Sequence, residues 1–406
     1  MIDMIKIAIM GFGTVGSGVY EILEKNRELI NRKLGEDIEV KTILGRRLFS
    51  ENDISKKIVK EFEKIEEDPE IELVVETMGG TTPAYEYIKR SLLAKKHVVT
   101  ANKAVVAAHG TELLKIAHEC GVNFLFEASV GGGIPIIRGL FSSLAGENIK
   151  EISGILNGTT NYILTKMDQE GSEFEDALGA AQEYGYAERE PEADVEGYDT
   201  CRKVAILASI ATGLEVAYED IYTEGITKVD KIDFEYAQKM GTSIKLFGGM
   251  FIDDGKLYSY VCPMIISSSD PLYMVKSVYN AVMIEGHTLG KTMFYGSGAG
   301  KYPTASAVVA DVLSVFKKNN GFKPYWSEER AYVEDMDKTS HRYFVRFQGR
   351  NEEDIAHCER AFGKSRSVYL EGKDEFAILT GYMREKDFKA VLEGTKGMIK
   401  FIRARI

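Results

Sequence analysis

A short apolar run rich in β-branched residues, Met4–Met10, passes straight into Gly11-Phe12-Gly13-Thr14-Val15-Gly16. Beyond it Val15, Val19, Ile22, Leu23, Leu29 and Ile30 recur at helical spacing. Glycines placed where a strand turns into a helix leave few folds open. Gly11 permits the tight turn, and Gly13 lets the backbone approach a pyrophosphate with no Cβ in the way. Gly16 lets the helix pack close to the strand, whose following helix N-terminus carries the positive end of its dipole. A glycine-rich turn of no chemical use would carry the same letters, so the weight comes from their place at the opening of a βαβ unit.

The chain continues in that rhythm. Residues 38–44 read as a strand ending in Gly45-Arg46-Arg47. A site for NAD places an acid near this point to hold the ribose 2′-hydroxyl, whereas a site for NADP places arginine against the 2′-phosphate. The acid is absent, which favours NADP(H) over NAD(H); the plainer alternative is two surface charges after a strand. Residues 51–70 are charge-dense and read as a solvated helical or loop face. Residues 71–76 form another buried strand, followed by Thr77, Gly79 and Gly80, where glycines again permit close backbone approach to a ligand. A helix over 84–94, a strand over His97–Thr100, then Ala101-Asn102-Lys103 and one more helix–strand pair reaching 124–127 complete the alternation. The pattern is α/β, a Rossmann-type doubly wound parallel sheet.

Composition narrows the function. With 406 residues the chain has material for two to three domains. Acids outnumber bases by 62 to 51, which argues against nucleic acid or an anionic membrane as the main partner. Cys120, Cys201, Cys262 and Cys358 are far apart, at neither zinc nor disulfide-scaffold spacing, and point to a reducing, cytoplasmic setting. The most apolar stretch, residues 121–144, is interrupted by Glu127 and Arg138.

The region with most chemistry is 181–203. Six acids fall between Glu188 and Asp199, punctuated by Pro191 and Gly197, before an apolar helix over 204–211. Asp199 and Lys203 are four apart, on one helical face with the acid N-terminal. One reading is an exposed ion pair worth about 0–1 kcal/mol; the other is a working acid–lysine pair.

These residues resemble a known family. The run Ala181…Gly185-Tyr186-Ala187, the step Glu190-Pro191 and Asp194-Val195…Gly197…Asp199…Lys203 are similar to the signature of homoserine dehydrogenases. Further blocks of that family are matched, in family order, by 11–16, 100–103, 127–135, 157–163 and 296–300. Glu190 departs from the Asp, Asn or Ser usual before the proline. The resemblance implies reversible hydride transfer between a nicotinamide and L-aspartate 4-semialdehyde, with L-homoserine as the alcohol, a step towards threonine and methionine. It implies that Lys203 is the main catalytic lysine, with Asp199, and that Lys103 is a second lysine at the reacting end. Glu188, Asp194 and Asp199 are the implied substrate acids. Their chemistry suits the role, since a buried ammonium group needs carboxylate partners. Two lysines at one oxygen would move its proton and steady an alkoxide.

Cofactor contacts are expected from Gly11, Phe12, Gly13, Thr14, Val15, Gly16, Arg46, Arg47, Thr77, Gly79, Gly80, Lys103, Gly298 and Gly300. In the resembled family a monovalent cation, Na+ or K+, is held by positions matching Glu127, Val130, Gly132 and Ile134, a hard-oxygen set. The same glycine block alternatively serves only to carry the chain between domains. Asn157 and Thr159 either cap a helix after a strand over 149–156 or face the substrate.

The C-terminal part changes pattern. Strands over 342–347, 367–370, 375–380 and 398–404 and helices over 352–362 and 385–392 follow the order βαββαβ, that of the ferredoxin-like fold. Position and order resemble the ACT domain attached to this family. The first loop, from Gln348 to Ile355, lacks the D-x-P-G-x-L turn that usually holds an amino-acid effector, so dimer contacts are its alternative role. The expected organisation is a dinucleotide-binding domain over 1–145 with 295–325 returning to it, an α+β substrate and dimerisation domain over 146–294, and an ACT-like domain over 338–406. A homodimer or homotetramer is expected. Two rivals remain: a dehydrogenase using a cysteine nucleophile, for which Cys201 lacks a histidine partner in the sequence, and a nucleotide sensor without catalysis.

Overall fold

The computed structural model describes residues 4–45, 54–317, 323–349, 352–363 and 365–406. The chain divides into two compact units. The first comprises Met1–Ile149, Ala205–Glu219 and Gly286–Ala331; the second comprises Lys150–Val204, Asp220–Glu285 and Tyr332–Ile406.

The first unit is organised by one sheet of strands β1 (Met4–Met10), β2 (Asp37–Leu44), β3 (Ile58–Val59), β4 (Leu73–Glu76), β5 (His97–Thr100) and β6 (Phe124–Leu125). Their order is β3-β2-β1-β4-β5-β6, every pair parallel. The inner strands bury valine, isoleucine and leucine on both faces of the sheet, as a parallel sheet covered by helices requires. From β1 the chain turns one way to β2 and later the other way to β4. The loops after β1 and β4 therefore flank the point where strand order reverses, the ligand crevice of a Rossmann-type sheet.

The charged stretch 51–70 departs from expectation. β3 joins the sheet edge, and Phe62 and Ile65 are buried, Phe62 stacking on Tyr87 with ring centroids 4.2 Å apart. Two apolar side chains three apart suffice to seat a short turn on the core, whatever the surrounding charge. Arg46 and Arg47 lie outside the described residues.

The returning segment brings the helix Lys301–Phe316 onto the helix Thr14–Lys25. Gly18 makes this approach close: a Cβ there would lie 3.0 Å from the Ala305 Cβ. Lys301 and Tyr302 donate to Glu21 at 2.6 and 2.8 Å.

The second unit follows the expected order, helices and then strands. After β7 (Ile149–Ile155) come the helices Gly158–Glu170, Phe174–Glu183 and Glu192–Val195 and the start of Tyr198–Thr212. β8 (Tyr222–Thr223) precedes the hairpin of β9 (Thr242–Asp253) and β10 (Lys256–Ser267), which turns on Asp254 and Gly255, both at positive φ. Next in the chain are β11 (Tyr279–Gly286) and β12 (Gly290–Ser297), the latter in the returning segment of the first unit.

The C-terminal part supplies β13 (Ser340–Gln348), the helix Glu352–Phe362, β14 (Ser365–Tyr369), β15 (Glu375–Thr380), β16 (Met383–Arg384), the helix Glu385–Glu393 and β17 (Met398–Arg405). Its own core is aromatic, with Tyr343, Phe347, Phe362, Phe376 and Phe388 buried together. In the second unit the sheet order is β11-β7-β9-β10-β17-β13-β15-β14. β17 pairs antiparallel with β13 and parallel with β10, Arg403 opposite Met264. The C-terminal strands thus continue the sheet of the second unit instead of forming a sheet apart, because β10 offers β17 a free edge to pair with.

Candidate active site

The nucleotide side of the first unit is built from tight backbone contacts. A Cβ on Gly16 would sit 2.1 Å from the Gly11 carbonyl, and one on Gly11 would meet the Thr77 backbone at 2.9 Å. Thr77 holds this crossing, its N–H donating to Met10 at 2.8 Å and its Oγ1 to the Gly11 carbonyl at 2.9 Å. A Cβ on Gly13 would meet nothing within 4 Å. Gly13 at φ −85° is therefore not demanded by the fold, and the space beside it suits an approaching ligand. The helix Thr14–Lys25 starts there with no side-chain cap, leaving its first N–H groups for an anion; this fits a pyrophosphate. Phe12 packs edge-on to Tyr20. Gly79 and Gly80, both at positive φ, also face open space.

A second set of contacts escaped the sequence reading. Glu76, the last residue of β4, is buried and accepts from Thr100 Oγ1 and from the Met78 N–H at 2.7 Å; burial pushes its carboxyl up from the ordinary range. Thr100 Oγ1 also accepts from the Asn102 N–H. Asn102 donates to the Gly80 carbonyl at 2.6 Å and caps the helix Lys103–Cys120 through Val105. The loops after β4 and β5 are thus one piece, and Lys103 opens the helix that Asn102 caps. The signal was present: an acid ending an otherwise apolar strand.

The glycine block 131–133 is shaped by Gly298, since a Cβ on Gly132 would lie 2.5 Å from the Gly298 carbonyl. Gly133 donates to Ser297 at 3.1 Å, and Gly300, at φ +114°, opens the helix Lys301–Phe316. Glu127 is buried, and its carboxylate accepts the N–H groups of Ile137 and Arg138 at 2.9 and 2.7 Å. Its own N–H donates to Asp311, which is paired with Arg138 at 2.6 Å. Burial pushes both carboxyls up to about 7, Asp311 adding to the effect on Glu127 and Arg138 opposing it on Asp311. The carbonyl of Ile134 accepts from Ile136. Two of the four expected cation ligands, Glu127 and Ile134, therefore already serve backbone N–H groups; Val130 is buried beside them. Among the described residues no group of three or more His, Cys, Asp or Glu could hold a metal ion.

The cluster around Asp199 and Lys203 lies within the second unit. Asp199 and Lys203, on successive turns of the helix Tyr198–Thr212, are both buried and lie 2.7 Å apart, Lys203 Nζ to Asp199 Oδ2. The exposed ion pair is thereby replaced by a buried one. Lys203 also donates to the Leu156 carbonyl at 2.7 Å. The next residue, Asn157, serves as the helix cap given as one of its two readings. Its Oδ1 caps the helix Gly158–Glu170 through Thr160, while its Nδ2 lies 2.6 Å from Asp194 Oδ1 and 2.9 Å from Asp199 Oδ2. Thr159 Oγ1 donates to the Tyr186 carbonyl at 2.6 Å, tying the helix start to the loop before Glu188. Glu188 itself is exposed, its carbonyl accepting from Gln182, and its carboxylate is not brought into the cluster.

Such an arrangement holds a buried carboxylate, a half-buried one and an exchangeable ammonium proton together, suited to an amine-bearing alcohol. Comparisons agree with that chemistry. Residues 11–127 match the model of the homoserine dehydrogenase NAD-binding domain, and residues 135–313 match that of homoserine dehydrogenase. A homoserine dehydrogenase of Synechocystis is 41% identical over 96% of this chain and 95% of its own. A crystal structure of a homoserine dehydrogenase from Thiobacillus denitrificans superposes with a TM-score of 0.91 at 34% identity, covering 99% of this chain and 98% of that one. A hyperthermophilic archaeal homoserine dehydrogenase mutant, solved in complex with NADPH, superposes with a TM-score of 0.67 at 29% identity over 79% of this chain and 100% of that one. From glycine loop to buried lysine, this chain belongs to the homoserine dehydrogenase family of NAD(P)-dependent oxidoreductases.

Proposed function

We propose that Lys203 is the group that exchanges the proton of the reacting oxygen, with NADP(H) as preferred cofactor. The observation that carries this reading is the burial of Lys203 against Asp199 and the Leu156 carbonyl. When bound, the nicotinamide supplies or accepts the hydride. As L-homoserine becomes L-aspartate 4-semialdehyde, the neutral amine form of Lys203 takes the hydroxyl proton and becomes an ammonium; in the reverse direction that ammonium returns the proton to the carbonyl oxygen. A lysine can do this and an arginine cannot. Asp199 orients the amine, and Asp194 and Asp199, bridged by Asn157, receive the substrate ammonium, with Glu188 as an outer acid. Asn157 and Thr159 hold the helix start that shapes this pocket. Lys103, opening its helix beside the Gly79–Gly80 loop, is the second lysine of the reaction.

For the cofactor, the open face of Gly13, the uncapped helix Thr14–Lys25 and the glycines at 79, 80, 298 and 300 support dinucleotide binding. Arg46 and Arg47 are assigned to the 2′-phosphate on sequence grounds, in line with the NADPH complex of the archaeal relative. A monovalent cation at Glu127, Val130, Gly132 and Ile134 would draw on the remaining lone pairs of a buried carboxylate.

The C-terminal βαββαβ order with neighbours β17-β13-β15-β14 supports an ACT-like module. We assign it to contacts in a homodimer or homotetramer, in keeping with exposed Tyr382, Met398 and Ile399. A cytoplasmic location goes with this reading. No helix among the described residues is long and apolar enough to cross a membrane.

Steady-state oxidation of L-homoserine, with NADP and NAD side by side and threonine in a third reaction, tests the reading. Turnover with NADP preferred supports it, and preference for NAD removes the role of Arg46 and Arg47. Inhibition by threonine would show that the module senses an effector despite its altered first loop.

A further inference from the structure

We propose that Arg403, in the last strand of the chain, positions the substrate carboxylates Asp194 and Asp199 through the strap of residues 222–226. The proposal rests on the substrate role given above to those two acids. Arg403 is 1% exposed, and its guanidinium reaches in two directions. Towards the C-terminal part, Nε and Nη2 donate to Glu385 at 2.8 and 2.6 Å. Towards the strap, Nη1 donates to Glu224 at 2.9 Å and Nη2 to the Tyr222 hydroxyl at 3.0 Å, and that hydroxyl donates in turn to Glu224 at 2.9 Å. The planar fork fixes direction as well as distance, which a lysine in its place would not do.

From Glu224 the contacts lead directly to the substrate segment. Ile226 N–H donates to the Val195 carbonyl at 2.7 Å. Between them Gly225 lies so close that a Cβ there would be 2.3 Å from the Val195 carbonyl and 2.5 Å from the Glu196 Cα. Gly197 is equally pressed, with a Cβ falling 3.0 Å from Val261 and 3.3 Å from Thr223. Gly197 stands at φ +84°, its N–H bonded to the Asp194 carbonyl and its carbonyl to the Cys201 N–H. It is therefore the turn that sets Asp194 relative to Asp199, the separation that Asn157 Nδ2 spans.

Arg403 is not needed to pair the strap, which β8 already joins to β10 and whose Glu224 N–H donates to the Val261 carbonyl at 2.8 Å. A cavity of about 450 Å3 lies against it, lined by Glu196, Tyr198, Glu224, Lys228 and Phe401 among others. Nor is Arg403 needed merely to anchor its strand, since β17 is already hydrogen-bonded to β13 and β10. What the guanidinium adds is a polar tie from that strand to the strap, and through it to the two acids.

The test is a KM-against-kcat comparison on the full-length enzyme. Glu224→Gln leaves the Arg403–Glu385 pair in place, and Gly225→Ala presses on the Val195 and Glu196 backbone, and on the Glu196 carboxylate at 2.9 Å, without removing any charge. Both are expected to raise the homoserine KM, by about tenfold, with the cofactor KM unchanged. Arg403→Lys keeps the charge but not the fork and should shift the homoserine KM the same way; Arg403→Met is a poor test, because it strands Glu385 in the core and threatens folding. If the strap variants keep the wild-type homoserine KM, or raise both KM values equally, the positioning role is overturned. Asp199→Asn separates the two levels: if it too leaves homoserine kinetics at wild type, the substrate role of the acids fails and the proposal falls with it.

Discussion

The second unit holds two kinds of buried charge, and they are built on different cations. In one, Lys203 meets Asp199, with Asn157 linking that acid to Asp194. In the other, Arg346 meets Asp230 at 2.8 Å, Asp233 at 2.7 Å and Glu375 at 2.9 Å, joining β13 and β15 to the capping box of the helix Lys231–Lys239. Arg346 is bound by three acids and cannot exchange a proton at any working pH, so its cluster is a joint. Lys203 has a smaller, more compact donor group beside an amide that any substrate carboxylate or ammonium would disturb. A buried ion pair is weak evidence of function; the choice of lysine, which can exchange a proton where arginine cannot, is better evidence.

The strongest way to break this contrast is Lys203→Met. It should lower kcat by about a thousandfold with cofactor binding by the folded enzyme close to wild type, and it should also lower stability because Asp199 is left buried without its cation. Near-normal turnover would move the proton exchange elsewhere. Arg346→Met should cost about 3–5 kcal/mol in denaturant unfolding because Glu375 loses its cation and Asp230 and Asp233 keep only Lys400, with kcat and homoserine KM unchanged in the folded enzyme. A catalytic defect without lost stability would erase the distinction.

Asn157→Ser sharpens the lysine side. Serine still caps the helix Gly158–Glu170 but has no amide for Asp194 and Asp199, so stability should hold within about 0.5 kcal/mol. The homoserine kcat/KM should fall by about tenfold, read by steady-state kinetics.

The smallest effect is expected on the arginine side. Burial, with Arg403 adding its charge, pushes His341 down to about 4. Its folded pKa lies below the unfolded value of about 6.5, so its neutral form is matched above that pH and stability is lost as pH falls from there through 4. His341→Gln should flatten that acid limb by on the order of 1 kcal/mol, followed as Tm against pH. An identical limb in the variant would assign the acid sensitivity to other groups.

Local pattern carried much of the molecule. Helical spacing put Asp199 and Lys203 on one face, and apolar runs between glycine turns marked β1, β4 and β5. Gly11 and Gly16 could be read individually because each answers a backbone requirement, as their closed contacts show. Charge density misled at 51–70, where Phe62 and Ile65 outweighed their neighbours.

What the chain determined by itself is therefore what repeats over a few residues: strand, turn, helix and the two charges one helical turn apart. Tertiary structure alone decided that this pair is buried, that Asn157 joins it to Asp194, and that β17 enters the sheet beside β10 to bring Arg403 near Glu224. The physical reason is that desolvation and long-range hydrogen bonds depend on which distant segments pack together, and no local period in the sequence encodes that choice.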